Sequence, residues 1–366
     1  MHRCFLIRNA DVILTMDDGR QEIKGGDILV RDGVIEAVGQ GLYDDDAQIV
    51  DGRGCLVTPG LINTHHHLYQ TLTRAVPGAQ DALLFGWLKT LYPIWAKFGP
   101  DHMRVSAMVG LAELALSGCS TTSDHLYLYP NGARLDDTID AAKAIGLRLH
   151  ATRGGMSIGE SAGGLPPDSL VEREEDILND CIRVIDAFHD PNPGAMIRVG
   201  VAPCSPFSVS RDLMRDAAIL ARDKGVMMHT HLAENDEDIA YSLEKFGCRP
   251  GQYAEDLGWT GPDVWHAHCV KLDVSEIELF AKTGTGVAHQ GDGLAKAIHQ
   301  RLGRVERSLI ATTHDRQRTI FCAGLSARHG CIDESHTLFS GLGINLAGDI
   351  SGSRGVIDQN GTGFHR

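Results

Sequence analysis

The segment Thr58–Gln70 reads TPGLINTHHHLYQ and places three consecutive histidines directly after a short apolar run. In a β-strand, residues two apart point to the same face, so His65 and His67 project together and His66 points away. Neutral imidazole is a common ligand for a zinc-type ion, so this pair predicts half of a metal site at a strand end. A polar strand end with solvated histidines is the alternative that the triplet alone leaves open.

Composition and charge limit the classes of protein to consider. The 366 residues are 43% hydrophobic and 22% charged, which suffices for one large α/β domain and a smaller one. The formal net charge of -14 argues against nucleic acid and against an anionic membrane as partners. Neither is therefore expected as a partner, and a homo-oligomer is left open.

Three further features predict a cytoplasmic protein. The N-terminal residues Met1–Phe5 lack the apolar core of a signal peptide. No stretch of the sequence is long and apolar enough to span a bilayer. Nine cysteines are scattered without a CxxC pair, which is typical of reduced thiols and not of a disulfide framework.

The order of strand-like and helix-like segments predicts the fold. Residues 1–57 are typical of a small β-sandwich domain, with a hairpin over Gly26–Gly39 that turns at Asp32-Gly33. Residues 58–289 alternate strands with helices and contain seven recognisable strands. Such alternation predicts a parallel (β/α)8 barrel, in this chain with an eighth strand that is not recognised. Residues 290–366 form a tail without a clear pattern.

Several of the predicted barrel strands end in a titratable residue, and a barrel brings those ends together at one mouth. These residues are His65 with His67, His125, Arg153, His231, His268 and His289. One histidine at a strand end is more often structural than functional. Histidines at five converging strand ends favour a shared site.

The segment His231–Glu234 reads HLAE and puts an imidazole and a carboxylate about one turn apart, just past a strand. His231 then supplies a third metal ligand, and Glu234 reaches the water or the atom that is protonated. A zinc-type ion lowers the pKa of its water to about 7, and a neighbouring carboxylate can move the proton. His268 is expected beside the same water as a base or an electrostatic anchor. A charge that stabilises a helix N-terminus is a second, compatible interpretation of Glu234.

Three motifs together resemble one known family, the amidohydrolase superfamily, in its branch of one-metal hydrolases that act on heterocycles. The motifs are PGLINTHHH at 59–67, HLAE at 231–234 and AHCV at 267–270. Supporting stretches are YQTLTR at 69–74, FGWLKTLYPIW at 85–95 and GESAGGLPPD at 159–168. Within that branch, residues 1 to about 289 are most similar to the group of 8-oxoguanine deaminases and hydroxyatrazine ethylaminohydrolases.

This resemblance implies hydrolytic deamination of an aromatic heterocycle, with 8-oxoguanine or a related purine as the expected substrate. It also implies one divalent metal ion, zinc before iron, with His65, His67 and His231 as ligands. Glu234 and His268 are the expected proton-transfer residues. The expected substrate contacts are Gln70, Arg153 and His289.

Two related classes of metal site fit the sequence less well. The two-metal branch of the family uses a carbamylated lysine after the fourth strand, whereas here that strand ends Gly200–Pro203 without a lysine. The unrelated zinc deaminases combine HxE with PCxxC, and Pro203-Cys204 has no second cysteine at that spacing. One metal ion on three imidazoles is therefore the expectation.

The tail departs from the family pattern, in which an eighth strand ends in an aspartate that completes the metal site. The resemblance stops at His289, and the best candidate for strand eight is Leu342–Asp349, with Asp349 as fourth ligand. A shifted reading frame, a chimeric join or divergence would each give such a tail. Hydrolysis of a chloro- or alkylamino-triazine, and a metal-binding protein with impaired catalysis, are the alternatives that remain open.

Overall fold

The computed structural model describes residues 4–80, 82–289, 320–324 and 337–339, and its strands form two sheets. The first strands are β1 (Cys4–Leu14), β2 (Glu22–Arg31), β3 (Val34–Gly39), β4 (Gln48–Asp51) and β5 (Cys55–Pro59). Next come β6 (Leu61–Asn63), β7 (Cys119–Leu126), β8 (Arg148–Gly155), β9 (Ile197–Pro203), β10 (Met228–Leu232), β11 (Val264–His268) and β12 (Gly286–His289). The last two are β13 (Ile320–Gly324) and β14 (Thr337–Phe339).

Helices connect the strands of the second sheet. They are α1 (Leu84–Trp95), α2 (Pro100–Leu116), α3 (Leu135–Ile145), α4 (Glu174–Phe188), α5 (Arg211–Lys224), α6 (Asp236–Phe246), α7 (Pro250–Asp256) and α8 (Val274–Thr283). No helix in the described part of the chain combines the length and the apolar composition that a bilayer crossing requires.

The first sheet has the order β14-β13-β5-β1-β2-β3, with β4 beside β1. The hairpin expected from the sequence is confirmed, since β2 and β3 pair antiparallel around Asp32 and Gly33. Both turn residues have a left-handed backbone, with φ of 49° and 82°, as a two-residue hairpin turn requires. Ile7, Ile13 and Val57 are buried at the centre of this small domain.

Part of the segment after residue 289 also belongs to the first sheet. The backbone of β13 pairs antiparallel with β5, from Ile320 opposite Pro59 to Gly324 opposite Cys55. Strand β14 pairs in turn with β13. The segment Leu342–Asp349, which the sequence offers as strand eight, lies outside the described residues.

The second sheet contains the seven strands that the alternation predicted. They are parallel and follow the order β12-β11-β10-β9-β8-β7-β6, so each strand lies beside its neighbours in the chain. Helices cross over between them, which is the winding of a (β/α)8 barrel. The carboxyl ends of all seven strands therefore meet at one end of the sheet.

Side-chain alternation along the strands separates the helix-facing core from the barrel interior. On β8, Leu149 and Ala151 are buried in the large apolar cluster that the helices share with the sheet. Burial of each such leucine side chain stabilises the fold by about 1.5–3 kcal/mol.

Capping interactions end helix α5 on both sides. The Ser210 hydroxyl accepts a hydrogen bond from the Leu213 amide at 2.9 Å to cap α5, and Gly225 closes it with φ of 66°.

Candidate metal centre

Four imidazoles meet at the carboxyl end of the second sheet. His65 and His67 follow β6, His125 lies on β7 and His231 lies on β10. Each ring offers one nitrogen to the cluster, and those four nitrogens all lie within 4.8 Å of one another. The structure therefore brings together the three histidines that the sequence proposed as ligands, and it adds His125.

Hydrogen bonds to the backbone determine which ring nitrogens of His67 and His231 carry a proton. His67 Nδ1 lies 2.6 Å from the carbonyl oxygen of His125, and His231 Nδ1 lies 2.5 Å from that of Cys204. A carbonyl oxygen only accepts, so both Nδ1 atoms donate and both Nε2 atoms carry a lone pair. Those two Nε2 atoms are 3.0 Å apart. Two facing lone pairs repel at this distance, so the pair is suited to a shared cation.

The same reasoning assigns His65 through a further histidine, His229. His229 Nδ1 donates to the carbonyl oxygen of Trp265 at 2.7 Å, so His229 Nε2 is an acceptor. It accepts from His65 Nδ1 at 2.8 Å. His65 Nε2 is then a buried lone pair, and it has no hydrogen-bond partner among the described residues. His65, His67 and His231, three rings of one cluster, thus each carry a lone pair on Nε2.

Burial keeps these imidazoles neutral. It lowers the pKa of His65 and His67 well below the usual value, with neighbouring imidazoles as a smaller cause. Burial likewise lowers the pKa of His231 to about 4. Neutral imidazole is the form that binds a metal ion, so the rings need not lose a proton first at neutral pH.

His125 is the fourth member of the cluster and was not proposed as a ligand from the sequence. Its Nε2 donates to the carbonyl oxygen of Ala202 at 2.9 Å. Its Nδ1 is therefore an acceptor, and it is buried without a partner in the described part of the structure. The position of His125 at a strand end was the only sequence signal for it.

Strained turns hold the two expected proton-transfer residues at the ends of β10 and β11. Ala233, His268 and Cys269 have positive φ values of 49°, 69° and 53°, although none is glycine. Such a conformation costs on the order of 1–3 kcal/mol per residue and persists only where neighbours enforce it. Here the Cys269 amide donates to the Leu232 carbonyl at 3.0 Å, which ties the two turns together.

Glu234 and His268 face each other from these turns, with 3.6 Å between Glu234 Oε2 and His268 Nε2. Both side chains are largely buried. Burial, together with the negative charge of Asp238, raises the pKa of Glu234 to about 8. A carboxyl group with this pKa can both donate and accept a proton near neutral pH.

Two of the expected substrate contacts lie near this centre. Gln70 follows the histidine loop, and its amide Nε2 donates to the Tyr69 hydroxyl at 3.2 Å. The Tyr69 ring centroid is 6.1 Å from that of His67. His289 ends β12 directly opposite His268 in the parallel pairing of β11 with β12.

The structure does not bring Arg153 to the histidine cluster. Its guanidinium donates to Glu172 at 2.7 Å and to Asp180 of α4 at 2.9 Å, and it lies over the Tyr129 ring. Arg153 is on the same side of β8 as Leu149 and Ala151, which is the side that faces the helices. Only 2% of its side chain is exposed, so the ion pairs hold it between the strand and α4.

Comparison with known proteins identifies the family. The family model described as "Amidohydrolase family" matches residues 56–319. The chain belongs to the amidohydrolase family. The match continues thirty residues past His289, the residue at which the motif resemblance ends.

Named members of the amidohydrolase family are similar over most of this chain. An 8-oxoguanine deaminase of Pseudomonas aeruginosa is 43% identical over 271 residues, which are 72% of this chain and 60% of that protein. A hydroxydechloroatrazine ethylaminohydrolase of Pseudomonas sp. (strain ADP) is 38% identical over 76% of this chain and 60% of that one. The chain thus spans 60% of the length of these curated relatives.

Solved structures agree with the fold. The crystal structure of an atrazine chlorohydrolase from Arthrobacter aurescens TC1 complexed with zinc superimposes with a TM-score of 0.74. It is 35% identical, and the match covers 82% of this chain and 67% of that chain. Family membership and the cluster of neutral imidazoles support a divalent metal ion at this centre.

Proposed function

We propose that this chain catalyses the metal-dependent hydrolytic deamination of an aromatic heterocycle, with 8-oxoguanine or a related purine as substrate. One observation supports the proposal. His65, His67 and His231 belong to one cluster and each carries a lone pair on Nε2, at the strand ends that also present Glu234, whose pKa burial raises to about 8. Ligands for a divalent ion and a proton-transfer group are thus available at the same end of the barrel.

The three Nε2 atoms would hold the ion, and His67 and His231 are oriented for this by the carbonyls that accept their Nδ1 protons. When bound, a zinc-type ion supplies a water of lowered pKa and polarises the substrate. Zinc is the proposed ion and iron is the alternative. The zinc in the chlorohydrolase structure supports zinc by similarity.

Glu234 and His268 would carry out the proton transfers. Because Glu234 holds its proton near neutral pH, it can protonate a ring nitrogen and so make the amino-bearing carbon electrophilic. His268 would accept or stabilise the proton of the attacking water, and its distance of 3.6 Å from Glu234 supports this role. Water would add to the ring carbon and give one proton to His268. His268 would pass that proton to the amino group, the carbon–nitrogen bond would break to release ammonia, and the remaining hydroxyl proton would return to Glu234 as the carbonyl forms.

Triazine hydrolysis is the second candidate, because two similar proteins carry names of triazine-type hydrolases. The same residues would act, with chloride or an alkylamine leaving in place of ammonia.

Asp349, the fourth ligand proposed from the sequence, lies outside the described residues. If it is a ligand, Asp349→Ala should remove both metal and activity from an otherwise active chain. A metal-binding protein with impaired catalysis remains the third alternative.

The deciding experiment uses the full chain loaded with zinc. Ammonia release is measured with 8-oxoguanine and guanine, and product formation with atrazine and hydroxyatrazine. The proposal expects turnover of an oxidised purine that is abolished by Glu234→Gln and unaffected by the exposed Glu113→Gln. Turnover of triazines alone would favour the second candidate. Bound zinc without turnover of any of these compounds would favour the metal-binding alternative.

A further inference from the structure

We propose that His229 is a positioning residue of the metal centre, which orients the ligand His65 and thereby determines how tightly the ion binds. This inference rests on the proposed function, because it takes His65 as a ligand. His229 was not singled out in the sequence. Its position two residues before His231 repeats the spacing of His65 and His67 and was the available signal.

The hydrogen bonds around His229 form a directed chain. His65 Nδ1 donates to His229 Nε2 at 2.8 Å, and His229 Nδ1 donates to the Trp265 carbonyl at 2.7 Å. This order leaves the lone pair of His65 on Nε2, the nitrogen available to the cluster. A carboxylate or carbonyl usually takes this supporting role beside a metal-bound histidine, and here an imidazole takes it.

Packing holds His229 in the orientation that this chain of bonds requires. Its ring is fully buried and stacks on the Trp265 ring, with 4.4 Å between centroids and 17° between planes. The Trp265 indole Nε1 also donates to the Thr64 carbonyl at 2.9 Å. Trp265 therefore contacts the His65 loop twice, once through His229 and once through the backbone of the preceding residue.

The barrel interior offers a matched control in His150. This ring is half-buried and lies tilted against the Trp265 ring, with 5.1 Å between centroids and 40° between planes. Its described contacts do not include His65 or another member of the histidine cluster. A change at His150 therefore tests the loss of an interior imidazole beside Trp265 without loss of the bond to His65.

The test is the dissociation constant of Zn²⁺, measured by competition with a chelator, in wild type, His229→Leu, His229→Gln and His150→Leu. His229→Leu should weaken binding by about 10–100-fold, because the Nδ1 proton of His65 loses its acceptor. His229→Gln should recover most of the affinity, since its amide oxygen can accept from His65 while its NH₂ group donates to Trp265. His150→Leu should bind as wild type does. The absorption spectrum of bound Co²⁺ should change in His229→Leu only.

Each failure has a distinct meaning. Equal affinity of His229→Leu and wild type would overturn the inference and leave the metal site intact. An equal loss in His229→Leu and His150→Leu would overturn it as well, because packing on Trp265 would then be the cause. A wild-type chain that binds no Zn²⁺ would overturn the proposed function itself.

A measurement on the wild-type protein keeps the inference testable if the leucine variant does not fold. Long-range ¹H–¹⁵N spectra distinguish the two neutral forms of a histidine ring. The inference requires His229 to carry its proton on Nδ1, in the bond to Trp265, and to accept at Nε2. A proton found on His229 Nε2 would overturn it, since His229 would then donate to His65 Nδ1 and the lone pair of His65 would not lie on Nε2.

Discussion

Asp238 accepts a hydrogen bond from the backbone amide of Glu234, with 2.8 Å between Asp238 Oδ2 and the amide nitrogen. The bond fixes the residue that follows the strained Ala233 turn. The same carboxylate contributes, after burial, to the raised pKa of Glu234. One side chain thus both positions the proposed acid and adjusts its pKa.

Asp238→Asn separates these two roles. The asparagine side-chain oxygen can still accept from the Glu234 amide, but the negative charge is gone, so the pKa of Glu234 should fall. Glu234 acts in its protonated form, and activity is lost as pH rises through its pKa. The high-pH limb of kcat/KM should therefore move to lower pH. The control is Asp236→Asn, which changes an exposed acid of the same helix. If the high-pH limb of the kcat/KM profile stays in place in both variants, the electrostatic role of Asp238 is refuted.

Removal of one metal ligand should abolish metal binding. In His65→Ala or His231→Ala, two of the three Nε2 donors remain, and the ion loses most of its affinity. Elemental analysis of the purified variants should find metal far below one ion per chain. His102→Ala, an exposed histidine of α2, should retain wild-type metal content. Full occupancy in both cluster variants would exclude these residues as the ligands.

Glu234→Gln should keep the metal and lose turnover. The amide has the same shape but cannot transfer a proton, and general acid–base catalysis contributes roughly 10²–10⁴-fold. The comparison of kcat with metal content in the same preparation separates this effect from loss of the ion. Unchanged deamination by this variant would make Glu234 a structural residue.

Arg153→Ala should destabilise the fold without loss of metal. Glu172 and Asp180 would lose a buried cationic partner, and the cost should be at most about 3–5 kcal/mol, because Asp180 retains Arg183 at 2.6 Å. Arg74→Ala removes an exposed pair with Glu113 and should change stability much less, because water screens such a pair. Urea unfolding measures the free energy of unfolding of both variants. A raised KM for Arg153→Ala at unchanged stability would instead indicate that Arg153 contacts the substrate.

Asp124 should make stability depend on pH. Burial raises its pKa from the ordinary 3.8 to about 7. Between these values the folded state holds a proton that the unfolded chain has released. The contribution of Asp124 to the free energy of unfolding is therefore greatest below pH 3.8, and it falls as the pH rises to about 7.

Asp124→Asn should remove that dependence, which amounts to roughly 1–4 kcal/mol across the window. The measurement is the urea midpoint of metal-free protein at several pH values. Buried histidines give a slope of opposite sign, so the difference between the two proteins isolates Asp124. Parallel curves for wild type and variant would contradict the raised pKa.

The sequence predicted the barrel strands well because a buried parallel strand followed by a helix leaves a repeated pattern. It also indicated His65, His67 and His231, because strand ends converge in such a fold. The position of Arg153 at a strand end did not show which side of the strand its side chain faces, whereas alternation with Leu149 and Ala151 puts it on the helix-facing side. His229 was missed for another reason. Its contact with His65 joins residues 164 apart, and no local pattern records such a contact.

The bond from the Trp265 indole to the Thr64 carbonyl has a kinetic consequence. It joins residues 201 positions apart in the chain. Contacts between such distant segments form slowly, because the long intervening loop must close first. The histidine cluster, which depends on the same closure, would be assembled late in folding. A nascent chain that lacks β10 would then present His65, His67 and His125 without His231, and it should bind the ion more weakly than the folded chain.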